Sequence, residues 1–264
     1  MSDEAPVNGR DAPHARRDED SDSATAPIVA GIDGRVSDVV STLRCVASPD
    51  GVRLSLTVSG EGPPLVMVHG AMDSGATWFD VAAELRRDFT CFLVDRRGHG
   101  ASTDAEEHSL AREADDVIAV AAEAGPDAVI LGHSFGAVVV LEALRRGLDV
   151  AAVVLYEPPL PVSDSVATAN REGSAAVRAR SSTVSREFQA LERCVEVLDE
   201  YAHVVIPMLL LEGANSPLQF REPVGYLARR VAGVRVKELV GQGHFAHREA
   251  PAMFAGVLRE LLLG

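Results

Sequence analysis

An α/β fold, with a mostly parallel central sheet flanked by helices, is what the 264-residue sequence predicts. Three observations carry the prediction. From Val39 onward, short apolar runs alternate with segments of helical periodicity. Most of these runs are continuously apolar, as in strands covered on both faces. Gly or Pro punctuates most of the junctions between them. Strands that alternate with helices form βαβ units, and those units require parallel pairing.

Taken in order, LRCVASPDGVRLSLTVSG (43–60) predicts a hairpin around Pro49-Asp50-Gly51. PLVMVHG (64–70) is a short buried strand with a glycine at its tip. ATWFDVAAELRRD (76–88) has helical spacing, with Trp78, Val81, Ala82 and Leu85 on one side. TCFLVDRRGHG (90–100) is a second buried strand that runs into a Gly-rich loop, and SLAREADDVIAVAAEAG (109–125) is a helix stopped by Gly125-Pro126. DAVILGHSFG (127–136) is a third strand, continued by the helix AVVVLEALRRG up to Gly147. VAAVVLYEPP (150–159), MLLLEG (208–213) and VRVKELV (234–240) supply further strands, and APAMFAGVLRELLLG closes the chain as a helix. Between Pro161 and about Val204 the alternation breaks into two or three helical patterns, the clearest in ERCVEVLDEYAHVV (192–205). An insertion after a strand's carboxyl end lies where ligands bind in open α/β sheets, so a small helical cap over residues 158–204 is expected.

Composition limits the function. The formal charge of −14 disfavours nucleic acid and anionic membranes, both of which call for a basic surface. No apolar run approaches the roughly 18 residues of a membrane span. The three cysteines, Cys45, Cys91 and Cys194, fit neither a zinc spacing nor a disulfide framework, so reduced thiols in a cytoplasm are expected. Residues 1–38 are rich in Asp, Ala, Pro and Ser and lack aromatics. They are expected to form a disordered acidic tail ahead of one domain spanning 39–264. The tail has no apolar core of the signal-peptide type. A small-molecule substrate is the expected partner, with a homo-oligomer left open and neither a metal nor an organic cofactor called for.

Three glycine-containing turns carry the chemistry. Gly132-His133-Ser134-Phe135-Gly136 is a G-x-S-x-G element between an apolar strand and a helix. Its glycines are expected to permit the sharp turn that lifts the Ser134 hydroxyl above the sheet. The helix that follows offers free N–H groups and a positive dipole end to a developing oxyanion. His69-Gly70-Ala71-Met72 ends another strand and is placed to supply the second oxyanion donor beside the N–H of Phe135. Gly241-Gln242-Gly243-His244 follows the last strand, where a histidine can swing toward a nucleophile several strands away. His247 is read as a surface or capping group, and His133, directly before Ser134, as a poorer base than His244 because neighbouring side chains at an elbow diverge.

HGAMDSGATW, DRRGHGAS, GHSFG and GQGH, in this order, resemble the α/β-hydrolase family from about Val39 to the C-terminus. The resemblance implies an α/β-hydrolase fold with Ser134 as nucleophile, His244 as general base, Ala71 and Phe135 as oxyanion donors, and residues 158–204 as the cap. It also implies that the Asp95–Gly100 stretch is mainly structural. The expected activity is hydrolysis of a small or medium apolar ester, lactone or thioester through an acyl-enzyme. A lyase or cyclase using the same site, and a catalytically silent binding protein on the same scaffold, stay open.

The third triad member departs from the family pattern. Many relatives place Asp or Glu after the strand that corresponds to 206–212, but this sequence has Asn215 there. An amide carries no charge to stabilise an imidazolium. Glu157 ends the strand VAAVVLY, which should lie beside the nucleophile strand because one short helix joins them. Haloalkane dehalogenases, within the same family, take their acid from this strand end. Glu157 is therefore the expected acid and Asn215 its neighbour. A dyad without an acid, or a cap-holding role for Glu157, stays open, while Glu212 is expected to point away.

Overall fold

The computed structural model describes residues 27–28, 41–178 and 182–264. One twisted sheet organises them, with strands β1 (Pro27–Ile28), β2 (Ser41–Ala47), β3 (Arg53–Ser59), β4 (Pro64–Val68), β5 (Thr90–Val94), β6 (Val129–His133), β7 (Ala152–Tyr156), β8 (Met208–Gly213) and β9 (Arg235–Leu239). Their spatial order is β1-β2-β3-β5-β4-β6-β7-β8-β9. β1, β2, β3 and β5 pair antiparallel in turn, and every pairing from β5 across to β9 is parallel. The α/β-hydrolase fold is thus present, with β2 and β3 as the hairpin around Pro49–Gly51.

The helices are α1 (Phe79–Leu85), α2 (Leu110–Ala124), α3 (Phe135–Arg145), α4 (Asp164–Arg178), α5 (Ser182–Arg193), α6 (Leu218–Arg230), α7 (Ala246–Glu249) and α8 (Pro251–Leu262). Alternate strand residues face two separate cores. Val66, Val68, Ile130, Val153, Leu155 and Leu210 point into one, shared with α2, α3 and α6. Leu65, Met67, Leu131, Val154, Tyr156, Leu209 and Leu211 point into the other, closed by Trp78, α1 and α8. This two-residue period with apolar groups on both faces is why the central strands read as continuous apolar runs. The local signals that delimit helices are equally plain. Ser109 caps α2 by accepting from the Arg112 N–H at 3.2 Å, and Gly125, at φ +103, ends it.

Some expectations are corrected. Within the expected tail, Pro27–Ile28 pairs antiparallel with β2; the rest of residues 1–38 lies outside the described residues. The pattern at 192–205 is not one helix: α5 ends at Arg193, and two short 3₁₀ turns follow at Cys194–Val197 and Glu200–His203. Their buried residues, Cys194 and Tyr201, turn toward the core where a straight helix would carry the chain past it. α6 was not visible as a helix, because Pro223 inside LQFREPVGYLARR masks its periodicity.

The order of strands fixes where a site can form. From β4 the chain moves to β5 on one side and then returns to β6 on the other. The crevice outside the carboxyl ends of β4 and β6 is therefore a topological switch point, the usual ligand position in such sheets. The insertion holding α4 and α5 leaves from the carboxyl end of the neighbouring β7.

Candidate active site

Among the described residues, three non-glycine residues hold a left-handed backbone: Met72 (φ +63), Ser134 (φ +52) and Glu157 (φ +49). Each follows the carboxyl end of a parallel strand: β4, β6 or β7. Conformations of this kind cost about 1–3 kcal/mol and persist where the surroundings over-determine them. All three lie along one edge of the sheet, which makes that edge the candidate site.

Ser134 is the pivot between β6 and α3, with ψ −123. Its N–H donates to Tyr156 O at 2.8 Å, which ties the elbow to β7. The neighbouring glycines act differently from what the sequence suggested. Neither Gly132 nor Gly136 has positive φ; the strained turn falls on Ser134 itself. The glycines are needed for close packing. A Cβ on Gly136 would lie 2.4 Å from His69 O and 2.6 Å from Val68 O, and one on Gly132 would lie 2.6 Å from Ala137 Cα. Gly136→Ala is accordingly expected to force β4 and α3 apart. It should destabilise the protein by about 1–3 kcal/mol, measured as a lower midpoint in urea. An unchanged midpoint would show that the elbow tolerates a wider gap.

His244 stands in the loop between β9 and α7. Its Nδ1–H donates to Glu157 Oε2 at 2.6 Å, and Glu157 is fully buried. The other carboxylate oxygen, Oε1, accepts from the Gly213 N–H at 2.6 Å. Both oxygens of a buried charge are thus engaged, which makes its burial tolerable. Asn215 lies elsewhere in this turn: it is exposed, and its backbone N–H donates to Gln242 O at 2.8 Å. Glu212 is partly buried and faces Arg221 at 3.6 Å.

The histidine loop is held from several sides. The Tyr156 hydroxyl donates to Gly243 O and accepts from the Ala246 N–H at 3.3 Å. His133 Nε2–H donates to His244 O at 2.9 Å. Phe220, on α6, stacks on the His244 ring with centroids 3.7 Å apart and planes 12° apart. Gly213 lets the tip of β8 approach this loop, since a Cβ there would meet Gln242 O at 2.7 Å. Tyr156 and Phe220 were not singled out from the sequence. Tyr156, immediately before Glu157, was placed to be found; Phe220 carried no sequence signal.

His247 is not a surface group. It is fully buried, packs its ring 4.7 Å from Trp78 and 4.3 Å from His133, and contacts Thr77 Oγ1 at 3.3 Å. The short turn of α7 points it inward, beneath the loop. Burial, reinforced by His244 and Arg248, pushes its pKa down to about 3. Burial also holds His133 and His69 well below the usual imidazole range and His99 near about 4. All four are neutral in the folded chain while the unfolded chain protonates near 6.5. Their contribution is complete above about pH 6.5 and is lost as pH falls through that value toward the folded ones. Glu187, raised by burial to about 7, has the opposite sign. Its share is complete below its unfolded value near 4.5 and is lost as pH rises through 7. With four groups against one, the urea midpoint should drop between pH 7 and 5. His247→Phe should reduce that drop by about a third, because Glu187 offsets roughly one of the four imidazole shares, and an undiminished slope would remove His247 from the cause.

At the tip of β4 and the start of α3, Ala71 is partly exposed and Phe135 opens the helix, so the Phe135 N–H has no partner inside it. The Gly70 Cα stands close to Ser134: a Cβ on Gly70 would lie 3.1 Å from Ser134 Cβ. Asp95, in the loop after β5, accepts from the N–H groups of Gly75 at 2.8 Å and Ala101 at 2.9 Å, which pins two loops together.

Residues 65–196, half of the chain, match the Alpha/beta hydrolase family. The chain belongs to that family. It is 39% identical over 110 residues to "Probable oxidoreductase EphD" of Mycobacterium tuberculosis, a match covering 39% of this chain but only 19% of that protein's length. It is 25% identical over 235 residues to "Esterase YbfF" of Escherichia coli, covering 75% of this chain and 92% of the esterase. The solved structure of esterase RhEst1 from a Rhodococcus species superposes with a TM-score of 0.65 at 25% identity, covering 84% of this chain and 98% of that one. Among the described residues, no helix is long and apolar enough to cross a membrane.

Proposed function

We propose that this α/β-hydrolase family member is a serine hydrolase that cleaves a small or medium apolar ester, lactone or thioester through an acyl-enzyme. The observation that carries the reading is the buried 2.6 Å pair of His244 Nδ1 and Glu157 Oε2, set at the same sheet edge as the strained elbow of Ser134. In this reading Ser134 Oγ attacks the carbonyl carbon and His244 Nε2 takes its proton. Glu157 fixes the ring's tautomer through Nδ1 and stabilises the imidazolium. The N–H groups of Ala71 and Phe135 receive the oxyanion, and collapse of the tetrahedral intermediate expels the alcohol or thiol with a proton from His244. Water activated by His244 then releases the acid. The names of two relatives, esterases YbfF and RhEst1, support the reaction class. Apolar side chains beside the working groups support the substrate class: Met72 follows Ala71, Phe245 follows His244, and both are exposed. The inserted helices α4 and α5 would act as the cap.

A series of p-nitrophenyl esters of increasing acyl length, run alongside a fluorophosphonate probe, tests the proposal. Steady turnover together with labelling of Ser134 is the expected result. Labelling without turnover of any ester or thioester would favour a lyase or cyclase on this site, and no labelling would favour a silent binding protein.

A further inference from the structure

Arg96 is the second residue of the DRRGHG loop after β5, and its side chain is 2% exposed. All three guanidinium nitrogens donate hydrogen bonds. Nε donates to His69 O at 3.0 Å, Nη1 to both oxygens of Glu113 at 3.0 and 2.8 Å, and Nη2 to Gly70 O at 3.0 Å and to Glu187 Oε1. Its backbone N–H donates to His69 Nε2 at 3.2 Å, and His69 Nδ1–H in turn donates to Gly70 O at 2.7 Å. The guanidinium also lies over the Phe135 ring, 4.9 Å from its centroid. One cation therefore grips the carbonyls before Ala71 and packs on the side chain of Phe135.

The consequence follows from peptide geometry. Gly70 C=O and Ala71 N–H belong to one planar trans unit and point in opposite directions. Two donors, one of them charged, hold Gly70 O on the Arg96 side. That fixes the Ala71 N–H on the other side and polarises it as a donor. Glu113, on α2, receives Arg96 Nη1 between its two oxygens and accepts from His108 at 2.8 Å. Glu187 differs. It comes from α5, in the insertion, and binds Arg96 through Oε1 while its Oε2 is buried without a partner. His99 Nε2 lies 3.4 Å from Glu187 Oε1, and the adjacent Arg186 ties α5 to Asp104 Oδ2 at 2.6 Å.

We propose that Arg96 is a positioning residue for the oxyanion hole, and that Glu187 latches it from the inserted helix α5, so that seating of α5 and alignment of the Ala71 N–H occur together. The inference rests on the acyl-enzyme reading above. It differs from a plain structural ion network, which could be exchanged for apolar groups with little effect on chemistry.

The test compares Arg96→Met, Glu187→Gln and Glu187→Leu with the parent protein, using a p-nitrophenyl ester for kcat and KM and phenylboronic acid as a tetrahedral analogue. Arg96→Met should lower kcat by about 10²-fold, the scale of one oxyanion donor, with KM changed by no more than about threefold. Boronate affinity should fall with it, because only the tetrahedral species uses the hole. Each Glu187 variant should show the same signature at about tenfold. Thermal melting verifies folding, and if Arg96→Met does not fold, the Glu187 pair decides. Folded variants with parental kcat and boronate affinity overturn the proposal, as does a loss confined to KM. If the parent itself neither turns over esters nor labels with fluorophosphonate, the acyl-enzyme reading has failed. The Ala71 amide resonance then reads the latch directly: a shift in both Glu187 variants supports it, and an unmoved resonance overturns it.

Discussion

Ser134→Ala is expected to abolish fluorophosphonate labelling and to lower kcat/KM for esters on the order of 10⁵–10⁶-fold, leaving only what binding and the oxyanion donors supply. The size of the effect follows from chemistry: alanine has no atom that can form the acyl bond. The fold should survive, because the Ser134 backbone is held by its N–H to Tyr156 O and by the packing of Gly136 on β4. A companion variant separates strain from chemistry. Ser134→Gly is equally unable to react, but glycine accepts φ +52 without penalty. It should melt above Ser134→Ala, by the few degrees that about 1 kcal/mol represents. Labelling that persists in either variant would move the nucleophile elsewhere and end the proposed mechanism.

Glu157→Gln is expected to lower kcat/KM by roughly two to four orders of magnitude. Glutamine keeps the shape of the side chain, and its oxygen can still accept from the Gly213 N–H. Its amide would then face the His244 Nδ1–H, donor against donor, so the ring must turn over or exchange its tautomer. The charge that would stabilise an imidazolium in the proposed mechanism is also gone. Asn215→Ala should stay within about threefold of the parent, since Asn215 is exposed and its contact runs through the backbone. Asn215→Asp should likewise change little. Near-parental activity in Glu157→Gln, paired with a dead Asn215→Ala, would show that the acid does not come from β7.

What the sequence by itself determined are the features encoded within a few neighbouring residues. Short apolar runs such as PLVMV and AVVLY, bounded by turn residues, read as strands covered on both sides, and Ser109 and Gly125 mark the ends of α2. G-H-S-F-G between an apolar run and a helical one reads as a tight strand-to-helix turn. Glu157 could be placed at a strand end next to β6, because the helix between the strands is short. Only the tertiary structure decided which distant groups meet. The stack of Phe220 on His244, the burial of His247 under Trp78 and the grip of Glu187 on Arg96, 91 residues away, leave no periodicity or spacing to read. The same holds for the glycines of the elbow: the carbonyls at the end of β4 require Gly136 and the backbone of α3 requires Gly132, and neither need comes from their own dihedrals. Local propensity acts along the chain, whereas burial, stacking and charge pairing act across it, through contacts that exist only once the sheet has brought its carboxyl edge together.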